Sequence, residues 1–178
     1  MTSIISRKIC MLGDFSVGKT SLIRRFVERQ FSDQYLSTVG VKISRKTVNI
    51  KSKLNQKSMS VQMMIWDLEG NTKFKAITPT YLQGAVSAVI VGDLSRKATV
   101  EHIPDHIESF LAVNPKGFVV VALNKSDLLN QDELAEISGF PQFKAHSKVI
   151  ATCLTSAKTG ASVDQVFSKL ASQMIELV

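Results

Sequence analysis

Cysteine is scarce. The chain of 178 residues has two, Cys10 and Cys153, each inside an apolar run, which leaves no room for a disulfide framework and predicts buried free thiols of a reducing compartment. No apolar run has the length of a membrane span, and no basic-then-apolar segment opens the chain, so a cytoplasmic location is expected. Repeats and low-complexity tracts are missing. Acidic residues are outnumbered, 15 Asp and Glu against 22 Lys and Arg, for a net charge of +7. That balance permits an acidic partner or a membrane surface without establishing either, and no nucleic-acid partner is expected. Gln173 to Val178 contain no cysteine, so no C-terminal prenylation site is expected. What is present is ordinary globular composition, 44% hydrophobic and 21% charged, in a length that fits one domain over residues 1–178.

Short apolar runs alternate with amphipathic stretches, the order of an α/β fold with a mostly parallel sheet. Ile9 to Leu12 ends at Gly13 and reads as a buried strand; Lys19 to Arg29 follows with Leu22, Ile23, Phe26 and Val27 at helical spacing. Val41 to Lys51 and Met59 to Asp67 alternate around the polar segment 52–58, which predicts an antiparallel hairpin at a sheet edge. Helices are predicted over Phe74 to Gln83, Ile103 to Val113 with Pro104 in its first turn, Gln131 to Ile137 and Ser162 to Leu177. Further strands are predicted over Ala88 to Val91, Phe118 to Leu123 and Val149 to Leu154.

Gly13-Asp14-Phe15-Ser16-Val17-Gly18-Lys19-Thr20 matches G-x-x-x-x-G-K-[ST] and lies between a predicted strand and helix, as that motif must. The glycines let backbone N–H groups turn inward toward phosphates, and the helix N-terminus adds its positive dipole end. Lys19 brings a point charge to the outer phosphates, and the Thr20 hydroxyl can ligate Mg²⁺. Gly13, Ser16, Val17, Gly18 and Ser21 are the other candidate phosphate-cradle positions.

Asn124-Lys125-Ser126-Asp127 closes a predicted buried strand. Guanine presents two adjacent donors, N1–H and the 2-amino group, which one carboxylate, Asp127, can accept as a charge-assisted pair. Adenine would leave that carboxylate unpaired, and sites of this kind reject the wrong analogue by roughly 10⁴–10⁵. Asn124 can tie the loop down, and the stem of Lys125 can cover one face of the base. Alone the run also fits a helix N-cap; its place at a strand end favours the base site. In Thr155-Ser156-Ala157-Lys158 the Ala157 N–H could donate to guanine O6, although alone this is a capping-rich loop. Asp67, followed by Gly70, reads as a second Mg²⁺-side carboxylate. Thr38 is a candidate outer Mg²⁺ ligand through the order of the motifs.

Together GDFSVGKT, Thr38-Val39-Gly40-Val41, WDLEG, NKSD and TSAK stand in the order and spacing of the Ras superfamily, and the resemblance covers nearly the whole chain. Lys46-Thr47-Val48, Ile65-Trp66-Asp67, Ile77-Thr78 and Tyr81-Leu82-Gln83-Gly84-Ala85 resemble the Rab branch. The resemblance implies a P-loop NTPase G domain, with a six-stranded mostly parallel sheet and helices on both faces. It implies a molecular switch that binds GTP/GDP with Mg²⁺ and acts through effector and regulator proteins. It places Phe31 edge-on to the guanine, Tyr35 and Thr38 in a first switch, and Asp67 to about Tyr81 in a second. Such switches are ordered by the γ-phosphate and Mg²⁺ and relax after hydrolysis.

The catalytic positions by resemblance are Lys19, Thr38, Gly70 and Asn71, and three departures fall around the γ-phosphate. Asn71 stands where the family has a water-orienting glutamine, Glu69 where it has a small alanine, and Phe15 where the P-loop usually has a small residue. A carboxylate beside a phosphate costs repulsion or demands a neutralising partner, and the Phe15 ring can obstruct an activator's arginine. Slow intrinsic hydrolysis is therefore expected. The family's prenylated tail is also missing: either it was removed or this is a Ras-like protein of prokaryotic type that never had one, and the second is favoured. Two rivals stay open: a hydrolysis-deficient GTP-binding scaffold, and a P-loop kinase or ATPase, for which no acceptor site or lid is visible. The basic residues Lys42, Arg45, Lys46, Lys51, Lys53 and Lys57 are expected to protect an edge strand, and His102 and His106 to lie on a solvated helix face.

Overall fold

The computed structural model describes residues 4–34, 37–51, 58–70, 78–137, 143 and 146–176. Six strands form one sheet: β1 (Ile4–Leu12), β2 (Val41–Lys51), β3 (Ser58–Leu68), β4 (Ser87–Asp93), β5 (Phe118–Asn124) and β6 (Val149–Leu154), in the order β2-β3-β1-β4-β5-β6. β2 is antiparallel to β3, and every other pair is parallel. The described helices are α1 (Lys19–Glu28), α2 (Thr78–Leu82), α3 (Lys97–Glu101), α4 (Ile103–Val113), α5 (Gln131–Ile137) and α6 (Val163–Glu176).

β4 and β5 are buried at every position, as strands covered on both faces must be. The strand period of two divides the interior. Ile9, Met11, Val89 and Val120 face Leu22 and Phe26 of α1 and Phe167 and Leu170 of α6; Cys10, Ile90, Val119 and Val121 face Leu82, Ile103, Ile107 and Phe110 on the other side. The Phe26 and Phe167 rings stack with centroids 3.9 Å apart, tying α1 to α6. Cys10 and Cys153 are free and buried, and burial pushes the Cys10 thiol up to about 12, so it is inert. Among the described residues no helix is long and apolar enough to cross a membrane.

The hairpin reading holds: β2 is an edge strand paired with β3 from Val41↔Leu68 to Lys51↔Ser58. Lys42, Arg45 and Lys51 are exposed along it, whereas the Lys46 ammonium donates to the Val27 carbonyl at 3.3 Å. The hairpin turn at 52–57, with Lys53 and Lys57, and the first part of the Phe74 helix lie outside the described residues. β4 and β5 run past the apolar stretches that predict them, because the ladder continues through the polar pair Asp93↔Asn124. α3 has no counterpart in the sequence reading; five residues are too few to show helical periodicity.

The parallel strands deliver their C-terminal ends to one edge of the sheet. Gly13, Asp67, Asp93, Asn124 and Thr155 close or follow β1, β3, β4, β5 and β6 there. β1 has β3 on one side and β4 on the other, which makes this edge the topological switch point where ligands bind in open α/β sheets.

Candidate functional site

Between β1 and α1 the backbone turns through Gly13 (φ 141°), Ser16 (φ 62°) and Gly18 (φ 99°). A Cβ on Gly13 would lie 2.2 Å from the Val91 carbonyl oxygen, and one on Gly18 would lie 2.3 Å from Asn124 Nδ2, so both positions require glycine. Lys19 opens α1 with a buried side chain, and its ammonium donates to the carbonyls of Gly13 (2.7 Å) and Asp14 (2.8 Å). Burial lowers its pKa to about 8, with Asp67 and Asp14 opposing the shift. An anion in the loop favours the charged form again.

The three residues read from sequence as a Mg²⁺ set meet. The Thr20 hydroxyl donates to Asp67 Oδ2 at 2.5 Å and lies 2.6 Å from the Thr38 hydroxyl, which itself donates to Asp67 Oδ2 at 3.3 Å. Asp67 is 1% exposed; its Oδ1 is buried and has no hydrogen-bond partner among the described residues. Burial raises its carboxyl pKa, against hydrogen bonds from Thr20 and Thr38 and the charge of Lys19. Two hydroxyls and a carboxylate with an orphaned oxygen are hard oxygen donors, the set that suits Mg²⁺.

At the other end of the edge, Asn124 (1% exposed) joins three segments. Its Nδ2 donates to the Val17 carbonyl at 3.0 Å, and its Oδ1 accepts from the Thr155 hydroxyl (3.3 Å) and the Ala157 N–H (3.2 Å). The Ala157 N–H, read from sequence as a donor to the base, thus donates to Asn124. Lys125 adopts a left-handed φ of 64° and sets its ammonium 2.6 Å from Asp93 Oδ2. Asp127 follows in a short 3₁₀ turn and accepts at Oδ1 from the buried Ser156 hydroxyl at 2.5 Å.

A cleft of about 310 Å³ joins these ends. Ser16, Gly18, Lys19, Thr20, Ser21, Phe31, Thr38, Gly70, Asn124, Lys125, Asp127, Ala157 and Lys158 line it. Gly13, Val17, Asp67 and Ser156 support the lining through the bonds above. Tyr35 and Asn71 lie outside the described residues.

Glu69 is bound by backbone: Oε2 accepts the Gly40 N–H at 2.9 Å, and its own N–H donates to the Gly40 carbonyl at 3.0 Å. Gly70 presses on the P-loop so closely that a Cβ would lie 2.5 Å from the Lys19 ammonium. Phe15 stands at the cleft rim, 44% exposed.

The sequence reading missed five residues. Buried Asp93 accepts from Lys125 and from Arg96 Nε at 2.9 Å. Burial alone would raise its pKa, but the hydrogen bonds from Lys125, Ser95 and Arg96 hold it below the ordinary carboxylate range. Arg96 Nη2 also donates to the Phe15 carbonyl at 2.8 Å, linking the base-side loop to the P-loop. Arg25 on α1 donates to the carbonyls of Ala157 and Lys158 at 2.8 and 2.5 Å. His102 is exposed and His106 half-buried, as a helix face turned to solvent predicts, and both rings in addition hydrogen-bond Asp14, at 2.7 and 2.8 Å. Asp93 carried a usable signal, an acidic residue closing a buried strand, the same that marked Asp67.

A P-loop built on β1, with an acidic strand end and an N-K-x-D strand end beside it, defines a nucleotide-binding α/β domain. Comparison with known proteins narrows this. The Ras family model matches residues 8–176. The Ras-related protein RABA4b of Arabidopsis thaliana is 33% identical over 172 residues, 96% of this chain and 73% of the relative. The GTP-binding protein ypt5 of Schizosaccharomyces pombe is 32% identical over 96% of this chain and 78% of the relative. Rab-13 of Canis lupus familiaris is 31% identical over 94% and 79%. The chain belongs to the Ras family and is a Rab-like small GTPase of the Ras superfamily.

Proposed function

We propose that this chain is a single G domain acting as a guanine-nucleotide switch: it holds GTP or GDP with Mg²⁺ and hydrolyses GTP slowly. The observation that carries the reading is Asn124, whose amide spans from the P-loop carbonyl of Val17 to the Ala157 N–H, so that the phosphate cradle and the Asp127 loop form one cleft. In this reading Asp127 accepts the two guanine donors, Phe31 and the Lys125 stem flank the ring, and Lys19 and the P-loop amides hold the phosphates. Thr20 and Thr38 would hold Mg²⁺ with Asp67 behind them, and the ion supplies charge neutralisation between the outer phosphates. The name of ypt5 as a GTP-binding protein agrees.

Slow turnover rests on the same departures as before. Phe15 stands at the rim, and Glu69, also in the cleft, has Oε2 engaged by the Gly40 N–H. Turnover at or below about 10⁻⁴ s⁻¹, the scale of unassisted relatives, is expected. The effectors and regulators would be proteins that distinguish the two nucleotide states, met in the cytoplasm. A hydrolysis-deficient GTP-binding scaffold is the second reading, favoured by those same residues. A single-turnover assay on protein loaded with γ-labelled GTP and Mg²⁺ separates the two. Phosphate released at a measurable rate supports the switch, and GTP intact for hours supports the scaffold. Failure to load guanine nucleotide overturns both.

A further inference from the structure

His102, the N-cap residue of α4, and His106, one turn further on, face the P-loop. His102 Nδ1 lies 2.7 Å from Asp14 Oδ2, and His106 Nε2 lies 2.8 Å from Asp14 Oδ1, so each carboxylate oxygen has its own ring. The backbone carbonyl of Asp14 accepts from the Lys19 ammonium at 2.8 Å. Gly70 closes on the same peptide, where a Cβ would lie 2.7 Å from the Asp14 carbonyl oxygen. A path of direct contacts therefore runs from α4 through the Asp14 side chain to the backbone that seats Lys19. A neutral imidazole can donate one N–H to a carboxylate; a second proton makes the same bond charge-assisted and stronger.

Building on the nucleotide-site reading above, we propose that His102 and His106 are positioning residues that clamp the P-loop through Asp14, and that His102 makes nucleotide retention tighten as pH falls from about 8 to about 6. Titration agrees in sign. The Asp14 hydrogen bond, followed by its charge, raises the pKa of His102. The added hold is thus complete below the ordinary imidazole range and is lost as pH rises through the raised value. Burial pushes the Asp14 carboxyl up, but the bonds from His102 and His106 bring it below its ordinary value, so it stays ionised throughout this window. Glu101 of α3 and Asp105 of α4 also favour His102 protonation. Arg96, before α3, and Glu69, after β3, face the groove these rings share.

The test is the release rate of fluorescently labelled GDP from the Mg²⁺-loaded full chain between pH about 6 and about 8. Comparison with variants removes the nucleotide's own phosphate titration. Wild type is expected to slow about 3–10-fold on acidification, a range discounted for the exposure of His102. The pair H102A/H106A should release faster than wild type at every pH and lose the slope. The pair H102Q/H106Q keeps an N–H donor, so it should recover the wild-type rate near pH 8 without recovering the slope. H102A alone should lose the slope, which keeps the test decisive if a double variant misfolds. Wild-type rate and slope in H102A and H102A/H106A overturn the clamp alone. A wild-type chain that takes up no GDP overturns the nucleotide reading, and this proposal with it.

Discussion

The two ends of the cleft are built on different plans. At the base end, buried groups brace the loops: Asn124 binds the backbone of Val17 and Ala157, and the Asp93 carboxylate pairs with the side chains of Lys125 and Arg96, the latter reaching the Phe15 carbonyl. At the terminal-phosphate end, side chains hold one another: Thr20, Thr38 and Asp67 converge, and one buried oxygen of Asp67 has no partner among the described residues. The first plan fixes a shape before any ligand arrives. The second leaves donor capacity that a metal ion and a phosphate can complete. Of the departures from the family pattern, Glu69 and the Phe15 ring stand at the second end, while Asn71 lies outside the described residues.

The sharpest way to break this contrast is at Asn124. Asn124→Ala leaves the buried Val17 carbonyl and Ala157 N–H unpaired, at about 1–3 kcal/mol each, and should lower unfolding stability by about 2–4 kcal/mol in denaturant titrations. Guanine-nucleotide affinity should fall at least about 100-fold with it. Asp67→Ala tests the other end. It should leave unfolding stability within about 1 kcal/mol of wild type while abolishing the acceleration of GDP release that chelating Mg²⁺ produces in wild type. Arg96→Gln removes one strut between the ends, and GDP release should quicken about 3–10-fold. Phe15→Gly should change GDP affinity by less than about 3-fold, because its backbone carbonyl, which Arg96 uses, is retained.

Legibility in the sequence followed the same divide. Strands β5 and β6 and helix α5 are legible almost residue for residue, since apolar runs mark strands and a short amphipathic window marks the helix. The P-loop and the N-K-x-D run were readable because their chemistry is local in sequence. The bracing was not. Asp93 and Arg96 act through bonds to residues 32 and 81 positions away, Lys125 and Phe15, and spacing along the chain carries no trace of such contacts. The contacts of His102 and His106 are hidden for the same reason: their i, i+4 spacing shows a shared helix face but not that Asp14 lies against it. Thr20 and Asp67 carry local marks, the end of the P-loop motif and an acidic strand end, whereas Thr38 is legible only through the order of the family's motifs.

The central claim is that Asp127 reads guanine in a cleft already shaped by Asn124. A competition titration of GDP against xanthosine diphosphate, on wild type and Asp127→Asn, tests it most directly. The account predicts that wild type prefers GDP and that the variant loses about 10²–10⁴ in GDP affinity, two charge-assisted hydrogen bonds, while gaining preference for the xanthine nucleotide. An Asp127→Asn chain that keeps the wild-type preference for GDP would contradict it.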